Sequence, residues 1–401
     1  TVTLADSLSV GELNVECGYL KQADPNAPTG TAGTLTILLS LDWTGGTLNS
    51  NTVAGTIALA PGASGVAAPS FTNPGINGTV ALGSDLTTLG NSTLTLKNGT
   101  YRTSVDASFH VAGTSLLIMA PVPKVTPPPP PVDGDIYIDD KPGQRVKGMV
   151  TVDSDATAVV QPDDPEANPL ATVKVTLSGT NPGITNSGTV KLAGNTEVIF
   201  KPVGVNNVSG GYSQAPNFAV TEVASGAKFT CQKQTKVEIT GGILRLLDKP
   251  HDPNSVPASQ SDIVIENTTG DTALVLGSDG VIERPAASEI PLTLKVTGAF
   301  DMNGQVKLLA DSTVNLRSDL IDVTKKIEVG SSAKVTMGWF AVVGTAVGVN
   351  DGWILMQSAD PAAAPITAEP QFSHSAGING ITLLVGGRSF DNKRYEVRRE
   401  Q

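Results

Sequence analysis

The sequence predicts an all-β fold in which many short strands stack as a repeat body. Three observations predict it. Aromatic residues are only 4% of the 401-residue chain and charged residues 16%, while glycine fills 42 positions. Such a chain buries small β-branched side chains in many strands rather than large aromatics in one centre. Apolar and polar residues also alternate with period two in run after run, the mark of half-buried strands. Finally, phrases recur: "TNPGINGTVAL" at 72–82, "TNPGITNSGTVKL" at 180–192 and "GINGITLL" at 377–384.

The alternating runs follow in chain order: TVTLADSLSVGELNV (1–15), GTLTILLSLDW (33–43), STLTLKNGTY (92–101), ATVKVTLSG (171–179), KVEITGGILRLL (236–247) and LTLKVTGAF (292–300). Gly, Asn, Asp or Ser-Gly punctuates each run, as tight turns require. SDLTTLG (84–90) and SDLIDVTKK (318–326) have room for a helical turn or two; no long helix is expected. A glycine-then-strand phrase recurs as AGTIAL (54–59), NGTVAL (77–82), SGTVKL (187–192) and NGQVKL (303–308). A second phrase sets a small-residue corner between two strands: FHVAGTSLLI (109–118), VTEVASGAKFT (220–230) and IEVGSSAKVT (327–336). Stacked units of this kind bury an apolar column that no single unit could bury alone.

TPPPPP (126–131) is the clearest boundary, because consecutive prolines cannot join a helix or a sheet interior. It predicts an N-terminal β-repeat domain at 1–124, a Pro-rich linker at 125–135 and a C-terminal β-helix-like domain at 136–401. The alternative is a rigid strap lying across one continuous body.

LDWTGGTLNSN (41–51), LTLKNGTY (94–101), TGAFDMNGQVKLL (297–309), GWFAVVG (338–344), GWILMQ (352–357) and GITLLVGG (380–387) resemble rungs of right-handed parallel β-helices. Those rungs belong to secreted bacterial proteins of the autotransporter-passenger and haemagglutinin type. The resemblance implies a β-helix body and an extracellular or cell-surface location. Rung lengths here are irregular, and the insertions QADPNAPTG, QPDDPEANP and DKPHDPNSVPASQ break the repeat. Tandem β-sandwich domains are therefore the alternative architecture.

Several function classes are disfavoured. A net charge of −11 argues against nucleic acid and against an anionic membrane surface. No run of 18 apolar residues exists to insert into a membrane. GxSxG, Walker and Rossmann patterns are missing, and no Ser/His/Asp set can be nominated from spacing. The expectation is a non-enzyme, with a polysaccharide lyase or hydrolase as the alternative, since β-helices carry such chemistry when carboxylates and a base cluster on adjacent rungs.

The candidate site residues are few. Asp133, Asp135, Asp139 and Asp140, with Asp153 and Asp155 further on, offer oxygen ligands suited to Ca²⁺, although their spacing is not that of an EF-hand; a solvated acidic face is the alternative. His110, His251 and His374 stand in no paired metal-binding spacing. Cys17 and Cys231 read as two isolated small hydrophobes or one disulfide. Trp339 and Trp353 sit in apolar context and suit a core or cap better than a sugar platform. Sequons stand at Asn77, Asn91, Asn98, Asn207 and Asn267.

The expected partners are copies of the same chain. The first strand-like phrase, 1–15, has no guarding polar cap, and the last residues, 393–401, alternate and are basic against an acidic body. Head-to-tail contacts that do not close into a ring build polymers. A self-assembling surface filament, sheath or layer is thus the expected role, with a glycan-binding adhesin as the alternative.

Overall fold

The computed structural model describes residues 2–4, 8–17, 19–22, 34–48, 56–69, 79–82, 85–103, 107–121, 136–140, 149–163, 172–203, 210–248, 262–284, 292–297, 299–302, 305–308, 312–317, 327–329, 334–337, 353–358, 382–386 and 394–396, with backbone alone beyond Thr297. Among these residues every regular element is a strand, and nearly all pairing is parallel. The chain forms two compact units, Thr1–Tyr212 and Ser213–Gln401.

In the first unit the chain coils through three pairing faces, as in a β-helix-like fold. One face stacks Val2–Leu4, Tyr19–Gln22, Thr47–Leu48, Thr79–Leu82, Gly99–Thr103, Ile136–Asp140, Val173–Gly179 and Thr196–Pro202. A second stacks Thr56–Leu59, Leu86–Thr88, Phe109–Val111, Val150–Val152 and Gly183–Asn186. A third stacks Ser64–Ala67, Thr93–Leu96, Leu116–Met119, Thr157–Val160 and Thr189–Leu192. The long strands Leu8–Val15 and Thr34–Trp43 serve both latter faces, breaking register between Val10 and Glu12 where they turn the corner.

Parallel in-register stacking turns period-two alternation into columns. On the second face Leu35, Ile57, Leu86, Phe109, Val150 and Ile184 lie one above the next, all buried. On the third face the column runs Trp43, Ala67, Leu96, Met119, Val160, Leu192. The smallest side chain of that column thus lies against the largest, which keeps the packed volume even. Edge-to-face contacts join Trp43 to Tyr101 (6.4 Å, 74°) and Tyr101 to Phe109 (6.0 Å, 80°). The Tyr101 hydroxyl lies 2.6 Å from the Ala67 carbonyl and 2.7 Å from that of Lys97, donating to one at a time.

The second unit repeats the scheme. Lys228–Cys231, Ile263–Asn267, Leu292–Thr297, Ser312–Arg317 and Lys334–Met337 make one face. Two long strands, Lys236–Leu247 and Thr272–Arg284, each span two faces with a register break at the corner. At the end of the described pairing, Arg394–Glu396 lies antiparallel to Thr382–Gly386.

Several expectations change in detail. STLTLKNGTY is two strands, Thr93–Leu96 and Gly99–Thr103, because Gly99 turns the corner at φ +145°. Leu86–Thr88 within SDLTTLG is a strand rather than a helical turn, its side chains all buried between neighbouring coils. Strand pairing joins residues on either side of the proline run. Tyr101 before it lies opposite Ile138 after it, and Phe109 lies opposite Val150.

Candidate functional site

Most inward positions fill with apolar side chains, and the buried polar ones, such as Thr88 and Asn186, hydrogen-bond to other buried groups, so outward positions and corners are where side chains are open to a ligand. The second face of the first unit carries one polar cluster. His110 points outward with Thr87 and Thr151 as its register neighbours, and its Nε2 lies 3.0 Å from Asp153 Oδ2, on the corner of the next coil. Two residues before it, Ser108 donates to Asp85 Oδ1 through both its backbone N–H (2.9 Å) and its hydroxyl (2.8 Å).

Folding therefore brings Ser, His and Asp types together that no sequence spacing had joined. The pairing is wrong for a nucleophile relay, which needs the hydroxyl on the imidazole and the imidazole on an orienting carboxylate. Here the Ser108 hydroxyl is buried against a carboxylate of the preceding coil. His110 and Asp153 fasten one coil to the next. Both bonds read as clasps between coils.

The acidic candidates separate. Asp133 and Asp135 lie outside the described residues. Asp139 and Asp140 end the strand Ile136–Asp140, where they stand opposite Arg102 and Thr103, and Asp139 also stands opposite Ser178. Asp153 takes His110, and Asp155 is exposed at the same corner. No group of three or more His, Cys, Asp or Glu able to hold a metal forms among the described residues. His251, His374 and Trp339 lie outside the described residues, and Trp353 opens the strand Trp353–Ser358.

Cys17 is exposed and Cys231 buried, and both thiols are free. Of the sequons, Asn91 is exposed while Asn98 and Asn267 are buried. Asn77 and Asn207 lie outside the described residues.

Two further features lie at the surface. In the second unit Arg245 stands between Glu222 and Glu283 in register, with Nη1–Oε1 3.2 Å and Nη2–Oε2 3.5 Å. The register then continues to Lys307 and Glu328, an alternation of sign along successive coils. The other feature is an open edge. Leu8–Val15 pairs with Thr34–Trp43 on one side, and no described strand pairs on the other. Leu8 is 42% exposed whereas its register partner Leu35 is 3% exposed. Val10 and Leu13 are half-buried where Ile37 and Leu41 are buried. Among the described residues no further side chain continues these apolar columns beyond Leu8, Val10 and Leu13.

Comparisons with protein-family models, with curated proteins and with solved structures find no match to this chain.

Proposed function

We propose that this chain is an extracellular structural protein, a subunit that assembles with its own copies into a surface filament, sheath or layer by strand addition. The observation that carries this reading is the side of Leu8–Val15 that no described strand meets, where Leu8 is 42% exposed. The N–H and C=O groups on the side that no described strand meets would, beside exposed Leu8, serve as a template for another strand. The occupant we infer is the C-terminal segment of a second copy. Glu12 and Glu16 are exposed along the edge. The segment 388–401 carries Arg388, Lys393, Arg394, Arg398 and Arg399 against Asp391, Glu396 and Glu400. Opposite charge steers the two together and disfavours self-pairing of two acidic edges. The extracellular assignment rests on residue usage and on the resemblance to secreted β-helix rungs.

Electron microscopy and sedimentation of the full chain, across concentration and ionic strength, test this. Ordered polymers are expected at low salt, weakening as salt screens the charge pairing. Leu8→Lys/Leu13→Lys, or removal of 388–401, should leave monomers with unchanged β circular dichroism. Monomers alone under every condition would refute the proposal. A second reading, a glycan-binding surface module, is favoured by one feature, the corner that carries Phe218.

A further inference from the structure

Phe218 is 65% exposed, the most exposed large apolar side chain among the described residues, in a unit whose Phe229 is fully buried. A single exposed aromatic on a loose loop would call for no account. This one stands on a built corner. Gln214, with no exposed surface, extends beneath the turn: its Nε2 donates to Gly241 O (2.9 Å) and Ala219 O (3.1 Å), and its Oε1 accepts from the Thr221 hydroxyl (2.5 Å). Ala219 N–H closes the turn on Pro216 O at 3.0 Å, and the Thr240 hydroxyl holds Gln214 O at 3.0 Å.

The corner also leans on the backbone of the next coil. A Cβ on Gly241 would stand 2.1 Å from Ala215 O, and one on Gly242, whose φ is +75°, would stand 2.2 Å from Ala219 O. Side-chain-free residues at both positions let the turn seat directly on that strand. A buried glutamine and two glycines thus serve to hold one phenylalanine out in water.

Polar side chains stand on the same corner and on the next coil. Asn217 is exposed, and its Oδ1 lies 2.8 Å from the Cβ position on Gly241. Gly241 is the register partner of Asp279, which is exposed one coil further on. One strand spacing, about 4.8 Å, therefore separates the backbone under Asn217 from that of Asp279. The corner thus presents an exposed aromatic ring and an exposed amide, with an exposed carboxylate one coil further on.

We propose that Phe218, Asn217 and Asp279 form a subsite for a neutral hexopyranose unit of a glycan. The C–H face of a pyranose ring carries partial positive charge and stacks on the negative face of an aromatic ring. The hydroxyls around its rim are donors for the Asp279 carboxylate and partners of either kind for the Asn217 amide. Because the corner is fixed before binding, little ordering entropy is lost. Asp279 and the chain's net charge of −11 repel uronates, which restricts the class to uncharged sugars.

Titration of the full chain with neutral cello-, malto-, xylo-, manno- and chito-oligosaccharides tests this, read by calorimetry, with oligogalacturonate as the anionic comparison. At least one neutral series is expected to bind, and oligogalacturonate more weakly. Phe218→Ala should weaken binding roughly 5- to 100-fold, the scale of losing one aromatic stacking surface. Phe218→Trp should retain binding, and Asp279→Asn should weaken it several-fold. Phe218 is exposed, so its substitution leaves folding intact, and an unchanged thermal midpoint verifies this. No binding of any neutral oligosaccharide, equal binding by oligogalacturonate, or wild-type affinity in Phe218→Ala would each overturn the proposal. These outcomes are independent of strand addition, which the edge variants read separately.

Discussion

Replacing Asn267 with alanine should cost the second unit about 3 kcal/mol, a large loss for a residue with no catalytic task. Its side chain is 3% exposed and lies at a corner between coils. Nδ2 lies 2.7 Å from Lys233 O, 3.1 Å from Thr235 O and 3.3 Å from Thr272 O, and its two hydrogens serve two of these at a time. Oδ1 accepts from Thr269 N–H (3.0 Å) and the Thr269 hydroxyl (2.7 Å). Each bond is worth about 1 kcal/mol net, and a buried carbonyl left without a donor costs about 1–3 kcal/mol. The bond to Lys233 O also steadies a non-glycine residue at φ +55°, a conformation costing about 1–2 kcal/mol. Summed with allowance for partial relaxation, the loss is about 3 kcal/mol. Urea unfolding measures it, and hydrogen exchange localises it, with protection lost at Thr268, Thr269 and Gly270, whose N–H groups close this corner. A loss under about 1 kcal/mol, with the Thr269 amide still protected, would refute the reasoning.

Two more predictions follow from side chains at the coils. Arg245→Met removes both ion pairs and leaves Glu222 and Glu283 facing across one coil; we expect about 1 kcal/mol of destabilisation at low salt, shrinking in high salt, by thermal melts at two ionic strengths. A thiol titration at pH 8 should find Cys17 alone reactive, with Cys231 joining only on unfolding, because burial pushes the Cys231 thiol up to about 12, against the pull of a Thr235 hydrogen bond and aided by the nearby Glu266 charge. Its raised value means the folded state keeps a proton that the unfolded chain releases, so this contribution is whole below pH 9.0 and is lost as pH rises towards about 12. Burial raises Tyr101 in the same sense, so the thermal midpoint should fall above pH 9; a flat profile to pH 11, or two fast thiols, would contradict the burial of these groups.

Local pattern carried the strands. KVEITGGILRLL is one strand over its whole length, Lys236–Leu247, and VTEVASGAKFT is two strands about Gly226 at φ +83°. Period-two alternation is a property of neighbours in sequence, so it is legible without coordinates, and with it the all-β class. Apart from the unguarded first strand, the site features were not legible. SGTVKL and NGTVAL share a phrase, yet Thr189–Leu192 stacks on the third face and Thr79–Leu82 on the first. A corner phrase specifies a turn and leaves open which face follows it.

The distance between stacked partners also varies, from Val2 opposite Leu20 to Phe109 opposite Val150. No fixed period therefore tells which residue meets which. Arg245 finding Glu222 and Glu283, His110 finding Asp153, and Gln214 bracing the turn under Phe218 all depend on inter-coil register. Alternation tells which side of a strand a residue faces, a matter of backbone geometry alone. Which residue it meets there is set by long-range packing, where buried columns must align and every corner must close its hydrogen bonds.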